Sequence, residues 1–107
     1  RTIMPSRQHL ITATAYDKRG RLLAKATNNY RKTHPLQAHF ASLAGEPERQ
    51  YLHAELAVLL RCKDVVPHEI RVERYKRDGS PANAAPCPVC KLAIKQWGVQ
   101  RVIFTED

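Results

Sequence analysis

Leu52-His53-Ala54-Glu55 and Pro86-Cys87-Pro88-Val89-Cys90 are the two stretches on which the reading of this 107-residue chain turns. The first sets a carboxylate two positions after a histidine. The second sets two thiols at i and i+3 directly after a proline. His53 as neutral imidazole and Cys87 and Cys90 as thiolates make three soft or borderline zinc ligands, which leaves the fourth corner of the tetrahedron to water. Three protein ligands and one open position suit catalysis better than a structural staple. Two thiolates cancel the formal charge of the ion, yet water held there still loses a proton near neutral pH. Glu55 is then a proton carrier, not a ligand.

The flanking residues place these donors at helix starts. Pro88 suits a first helical turn, and the unpaired amides and positive dipole end of a helix N-terminus stabilise thiolates. His53 and Glu55 open an apolar-periodic run, so two helix N-termini side by side would assemble the site. Each half has a plainer reading on its own. Pro-Cys-x-x-Cys is often a redox pair or half of a zinc knuckle, and His-x-Glu is often an exposed helix start. Their conjunction, with strand and helix patterns between them, points to one metal centre.

These segments resemble the zinc-dependent deaminase superfamily, which shares the pattern H-x-E with P-C-x-x-C. The run from Pro86 through Cys87, Cys90, Trp97 and Gly98 to Phe104 looks most like deoxycytidylate deaminases, with tRNA adenosine deaminases next. A histidine at position 53 favours those branches over free-nucleoside cytidine deaminases, which usually place a cysteine there. The resemblance implies an α/β, three-layer cytidine-deaminase-like fold with a mixed sheet of about four strands flanked by helices, formed by residues 1–107 as a single domain. It further implies that His53, Cys87 and Cys90 hold zinc, that Glu55 is the catalytic proton shuttle and that Ala54 lends a backbone group to the base. An asparagine closing the second strand commonly contacts the sugar in such enzymes, and Asn28, with Asn29 beside it, stands where that residue is expected. Two departures stand out. Ala85 replaces a polar residue common before the Pro-Cys pair, and the helix and strand with which relatives continue past Phe104 are absent.

The implied reaction is hydrolytic deamination of cytosine to uracil, in a deoxycytidine nucleotide or in single-stranded nucleic acid. Adenine in nucleic acid is an alternative, because pocket shape and not metal chemistry selects the base. A different class is a non-catalytic nucleic-acid binding module in which zinc only staples the domain. That reading requires a fourth protein ligand, for which His34, His39 and His68 are the candidates, and it has no use for Glu55.

Composition narrows the setting. The formal net charge is +8 and 43% of residues are hydrophobic, which fits one globular core and attraction to phosphate. Basic residues cluster at Lys18/Arg19/Arg21, Arg31/Lys32 and Arg71/Arg74/Lys76/Arg77. Arg31 follows the two asparagines, near the expected pocket mouth, and is the substrate contact chosen from these clusters. No apolar run reaches a membrane span, and no signal-peptide layout opens the sequence, so the expectation is a soluble, cytoplasmic protein. Three cysteines, two of them wanted by the metal, argue against a disulfide framework; Cys62 reads as a small buried thiol. Oligomeric state is open, a homo-oligomer included.

Outward from the two metal stretches, the pattern predicts an α/β order. Leu10–Tyr16 and Leu22–Ala26 read as a hairpin around Asp17-Lys18-Arg19-Gly20. Pro35 opens a helix with Leu36, Phe40 and Leu43 on one side and Gly45 just past its end, expected to close over one end of the sheet. Leu52, Leu56, Leu59 and Leu60 recur at helical spacing. Ile70 and Val72 alternate with Arg71 and Glu73 in a strand that Asp78-Gly79-Ser80-Pro81 ends. A second metal-bearing helix carries Val89, Leu92 and Ala93 and stops at Gly98, before a buried-type strand from Val99 to Phe104. Strand, helix, strand in that order predicts a parallel pair beside the antiparallel hairpin.

Overall fold

A computed structural model describes residues 11–46 and 51–106, with side chains for all of these except 29–32 and 51. The elements are β1 (Ile11–Tyr16), β2 (Leu22–Thr27), β3 (Asn29–Thr33), α1 (Pro35–Leu43), β4 (Tyr51–Leu52), α2 (Ala54–Arg61), β5 (Glu69–Arg74), α3 (Pro88–Trp97) and β6 (Arg101–Phe104). Four strands form one mixed sheet in the order β2-β1-β5-β6, and β3 and β4 form a separate ribbon. β1 is antiparallel to both β2 and β5, while β5 and β6 are parallel and joined through α3. This is a mixed α/β architecture, with the expected hairpin and parallel pair and a layering compatible with the three-layer plan.

The register sorts the two faces of the sheet. Ala13 lies between Ala26 and Val72, and Ala15 between Ala24 and Ile70, with Val102 and Phe104 next to the two β5 residues. This face is small or branched and apolar. It shares one core cluster with Leu56, Val58 and Leu59 of α2 and with Val89, Ala93 and Ile94 of α3. Small strand residues let a helix approach closely, and α2 lies against β1, β2 and β5 and also touches α3. Each fully buried leucine or valine of α2 contributes about 1.5–3 kcal/mol relative to an exposed one.

The opposite face is polar. Thr14 stands between Lys25 and Arg71, and Tyr16 faces Glu69, whose parallel neighbour is Arg101. Glu69 is buried beneath two arginines, with Arg71 Nε at 2.6 Å and Arg101 Nε at 3.4 Å, and so ties β5 to β6. The Arg71 guanidinium also covers the Tyr16 ring at 4.8 Å.

Turn chemistry follows the sequence. Asp17 accepts the amides of Arg19 and Arg21 at 2.9 and 2.8 Å, and Gly20 takes the positive φ of 82° that the hairpin needs. Gly98 closes α3 at φ 93°, a left-handed cap.

Three expectations are corrected, and one element was unforeseen. α1 lies against α3 and β4 instead of an end of the sheet, and its inner face is Gln37, Phe40 and Ala41, with Leu43 57% exposed. Leu52 belongs to β4 opposite Asn29, not to a helix, because extended backbone at His53 delays the helix until Ala54. The β3–β4 ribbon itself was not expected; its charged β3 lacks the apolar alternation that marks a half-buried strand. The last strand begins at Arg101, and at this sheet edge Arg101 and Ile103 are exposed, so only one of its faces is covered. Leu10, in the first strand expectation, and residues 47–50 lie outside the described residues. Among the described residues, no helix is long and apolar enough to cross a membrane.

Candidate metal centre

The two helices that carry the candidate donors start in the same way. His53 is the N-cap of α2 and Cys87 the N-cap of α3, both with extended backbone and neither using its side chain to cap its own helix. Their carbonyls accept the first helical bonds, from Ala57 at 2.9 Å and from Lys91 at 2.8 Å. Pro88 fills N1 of α3, where its missing N–H costs nothing. Both cap side chains are therefore available to each other, and Cys90, one turn into α3, joins them.

His53 Nδ1 lies 3.2 Å from Cys90 Sγ and 3.5 Å from Cys87 Sγ. In a tetrahedral zinc site, bond lengths near 2.1 Å to nitrogen and 2.3 Å to sulfur put such donors about 3.6 Å apart. The three ligand atoms lie within 4.8 Å of one another, close enough to hold one metal ion. Their chemistry, one imidazole and two thiols, suits zinc. Among the described residues no fourth histidine, cysteine or carboxylate joins the group. His34 caps α1, His39 packs edge-on to Phe40, and neither belongs to the group; nor does His68, whose main chain bonds Tyr16 and Arg101.

The thiols are polarised against each other. A hydrogen bond from Cys90 is the largest cause pulling Cys87 down to about 4, with His53 acting in the same direction against the cost of burial. The same shared bond, together with burial, pushes Cys90 well above the ordinary thiol value. The anion thus rests on the half-buried Cys87, and a dication beside Nδ1 would let both sulfurs give up their protons.

Glu55 sits in the first turn of α2 and is 5% exposed. Burial pushes its carboxyl up from the ordinary value, while a backbone hydrogen bond and His53 pull against that rise. It also shares a side-chain hydrogen bond with Cys90, so it stands beside the three donors without being one of them. Ala54, at the first position of α2, is fully buried.

Asn28 is half-buried between β2 and β3. Its Oδ1 accepts the Ile11 amide at 3.1 Å and its own amide bonds Ile11 O at 3.1 Å, which clasps β2 to the start of β1. Asn29 and Arg31 lie on β3, and their side chains are outside the described residues. Ala85 is exposed in the loop before α3, with its amide on Asn83 Oδ1.

Two supporting residues were not foreseen. Gln37 of α1 is fully buried and its Oε1 accepts the His53 amide at 3.3 Å, which steadies the backbone that carries the imidazole. Thr105, just past β6, donates its hydroxyl to Ala82 O at 2.6 Å and accepts the Arg74 amide at 3.0 Å. Its carbonyl accepts the Ala84 amide at 2.9 Å, so the loop leading to Cys87 is anchored to the sheet. A polar residue inside an apolar helical pattern was the only available hint for Gln37, and Thr105 offered none.

Comparison with family models, with curated proteins and with solved structures returned no match to this chain.

Proposed function

We propose that this chain is a zinc-dependent hydrolase that deaminates cytosine to uracil, in a deoxycytidine nucleotide or in single-stranded nucleic acid. The observation that carries the reading is a buried carboxylate, Glu55, set beside a His53, Cys87, Cys90 donor set with no fourth protein ligand among the described residues. A structural staple needs the fourth ligand and has no use for the acid.

His53, Cys87 and Cys90 would hold the zinc, which when bound supplies the Lewis acidity that lets water act as a nucleophile near neutral pH. Glu55 takes the proton that this water loses as it attacks C4 of the base. It passes that proton to the ring nitrogen, then takes the hydroxyl proton of the C4 adduct and gives it to the departing amine, so the C4–N bond breaks, ammonia leaves and uracil remains. A carboxyl raised by burial suits that double duty, because it holds a proton between steps more readily than an exposed one. Ala54 would offer a backbone group to the base, and Asn28, Asn29 and Arg31 would meet the sugar and phosphate from the β2–β3 side. The net charge of +8 favours a polymeric substrate over a mononucleotide.

Substitution Glu55→Gln is expected to leave zinc content unchanged and to lower turnover by about 10²–10⁴, the usual size of a general acid–base contribution. Conversion would be followed by mass spectrometry on cytosine- and adenine-containing nucleotides and single strands. Undiminished uracil production by the variant would reject the mechanism, and product from adenine alone would reassign the base. A steep fall in binding with salt separates single strands from a mononucleotide, since each displaced counterion adds to the slope.

A further inference from the structure

β5 and β6 are paired as far as Val72 and Phe104. Beyond them the chain turns back through residues 76–80, with Lys76 N to Ser80 O at 2.8 Å and Tyr75 bridged to Pro81, so that residues 82–84 return between the two strand ends. The Ala82 amide bonds Arg74 O at 2.9 Å on the β5 side, and the Ala84 amide bonds Thr105 O at 2.9 Å on the β6 side. The Thr105 hydroxyl joins β5, β6 and this returning segment. It accepts the Arg74 amide at 3.0 Å and gives its single hydrogen to Ala82 O at 2.6 Å.

From Ala82 to Cys87 the chain alternates like a strand. Ala82, Ala84 and Pro86 are buried, Asn83 and Ala85 are exposed, and Cys87 continues the outer row, half-buried and with extended backbone at φ −69° and ψ 167°. A register shift of one residue exchanges the two rows of an extended segment. Here it would turn the Cys87 thiol away from His53 Nδ1, which lies 3.5 Å from it. Cys90 is placed differently, by α3 itself, whose Val89, Ala93 and Ile94 are packed in the core. As an N-cap residue Cys87 is fixed by its helix on one side only, so the hold on the other side comes from the loop.

We propose that Thr105 is a positioning residue for the metal centre: its hydroxyl sets the register in which residues 82–86 enter α3, and so aims Cys87 at the ion. The inference rests on His53, Cys87 and Cys90 being the metal donors and is independent of the reaction proposed for the loaded site. Gln37 stands in the same relation to the other N-cap donor, His53.

Thr105→Val keeps the β-branched shape and removes both hydroxyl bonds, while Thr105→Ser keeps the hydroxyl. At saturating zinc, mass-mapped alkylation of Cys87 should run at least about tenfold faster in Thr105→Val than in the unsubstituted protein, with Cys90 little changed and Thr105→Ser close to the unsubstituted protein. Ile70→Val, a truncation at a fully buried β5 position, controls for destabilisation and should leave Cys87 shielded. Linkage supplies a test without any variant, because a clasp that aims Cys87 at the ion must in turn be tightened by the ion. Zinc should slow hydrogen exchange of the Ala82 and Ala84 amides beyond any slowing in the β1–β2 hairpin, which reports general stabilisation. Equal exposure of Cys87 and Cys90 in Thr105→Val, an equal effect of Ile70→Val, or no excess slowing at the two amides would overturn the proposal and leave the metal reading intact. Failure of zinc to shield either thiol in the unsubstituted protein would sink the metal reading and this inference with it. The exchange measurement decides the matter even if Thr105→Val does not fold.

Discussion

α1 and α2 both begin with a histidine at the N-cap in extended backbone, His34 at φ −145° and ψ 140°, His53 at φ −80° and ψ 156°. The two rings do opposite things. His34 turns back on its own helix, and its Nδ1 accepts the Leu36 amide at 3.0 Å. His53 makes no such bond, and its Nδ1 faces two sulfurs at 3.2 and 3.5 Å. An N-cap side chain normally answers one of the orphan amides of its helix. It becomes a candidate metal donor when the chain places thiols across from it, and here a buried glutamine also holds the His53 amide. Residue type and helix position are the same at both ends, so what lies opposite decides the role.

His53→Ala and His34→Ala test that contrast most strongly. The first removes one of three donors and should cost zinc affinity more than about a hundredfold, beyond what loss of a supporting residue produces. The second should leave metal content unchanged. Elemental analysis after dialysis reads both, and equal retention of zinc would make the two histidines equivalent after all. Thiol alkylation sharpens the same point with a smaller effect. In chelator-treated protein at pH 7, Cys87, held down to about 4, is almost wholly thiolate, while Cys62 is held above the ordinary value by burial. The sign is fixed by those directions: lowering the pH from 8 to 6 should slow Cys62 and leave Cys87 little changed. Cys87 should be alkylated faster than Cys62 at pH 7, because the lower nucleophilicity of a low-pKa thiolate offsets only part of its larger ionised fraction and burial slows Cys62 further. Zinc should protect Cys87, and mass-mapped adducts at Cys87 in the loaded protein would contradict its role as a ligand.

Much of the centre was legible because its residues are chemically scarce. A histidine, a glutamate and two cysteines at short fixed spacings admit few joint readings, and Pro88 and Gly98 mark the ends of α3 through backbone geometry alone. The hairpin and the β5 strand were legible for a similar reason, since Ile70 and Val72 alternate with charge and Gly20 marks the turn. The inner face of α1 was not. Leu43 looks like core and Gln37 like surface by composition, yet the structure exchanges them. The exchange follows from a partner 16 residues away, the His53 amide, which no local pattern encodes. The β3–β4 ribbon was missed for the corresponding reason, because two residues of β4 are too few to show a period.

Gln37→Leu probes that hidden link. The substitution keeps the side chain roughly in volume and removes the acceptor, leaving the His53 amide short of a partner at a cost of about 1–3 kcal/mol. The larger signal should lie in the metal. Residues that orient a ligand typically account for 10–100-fold in affinity, and the visible spectrum of a cobalt-substituted protein should change as the His53 backbone relaxes. Gln37→Glu, which keeps an acceptor, should restore part of the loss. A variant that is destabilised while its zinc affinity and cobalt spectrum stay unaltered would reduce Gln37 to a packing residue.

The smallest effect belongs to His34. Losing a side-chain N-cap costs about 0.5–2 kcal/mol, and for a domain of this length about 1 kcal/mol lowers the unfolding midpoint by roughly 4–8 °C. His34→Asn, a better cap, should restore the midpoint or raise it. The separation from the metal site is not guaranteed by distance, because Gln37 is the third residue of the helix that His34 caps. Fraying of that first turn would move Gln37 and, through it, the His53 amide. A thermodynamic cycle with His34→Ala, Gln37→Leu and the double variant measures this coupling in zinc affinity. Pro35 at the first helical position already fixes the turn's φ, and Phe40 and Ala41 bury the rest of the helix, so the two effects should add. A coupling as large as the Gln37→Leu effect itself would mean that one histidine cap supports the other.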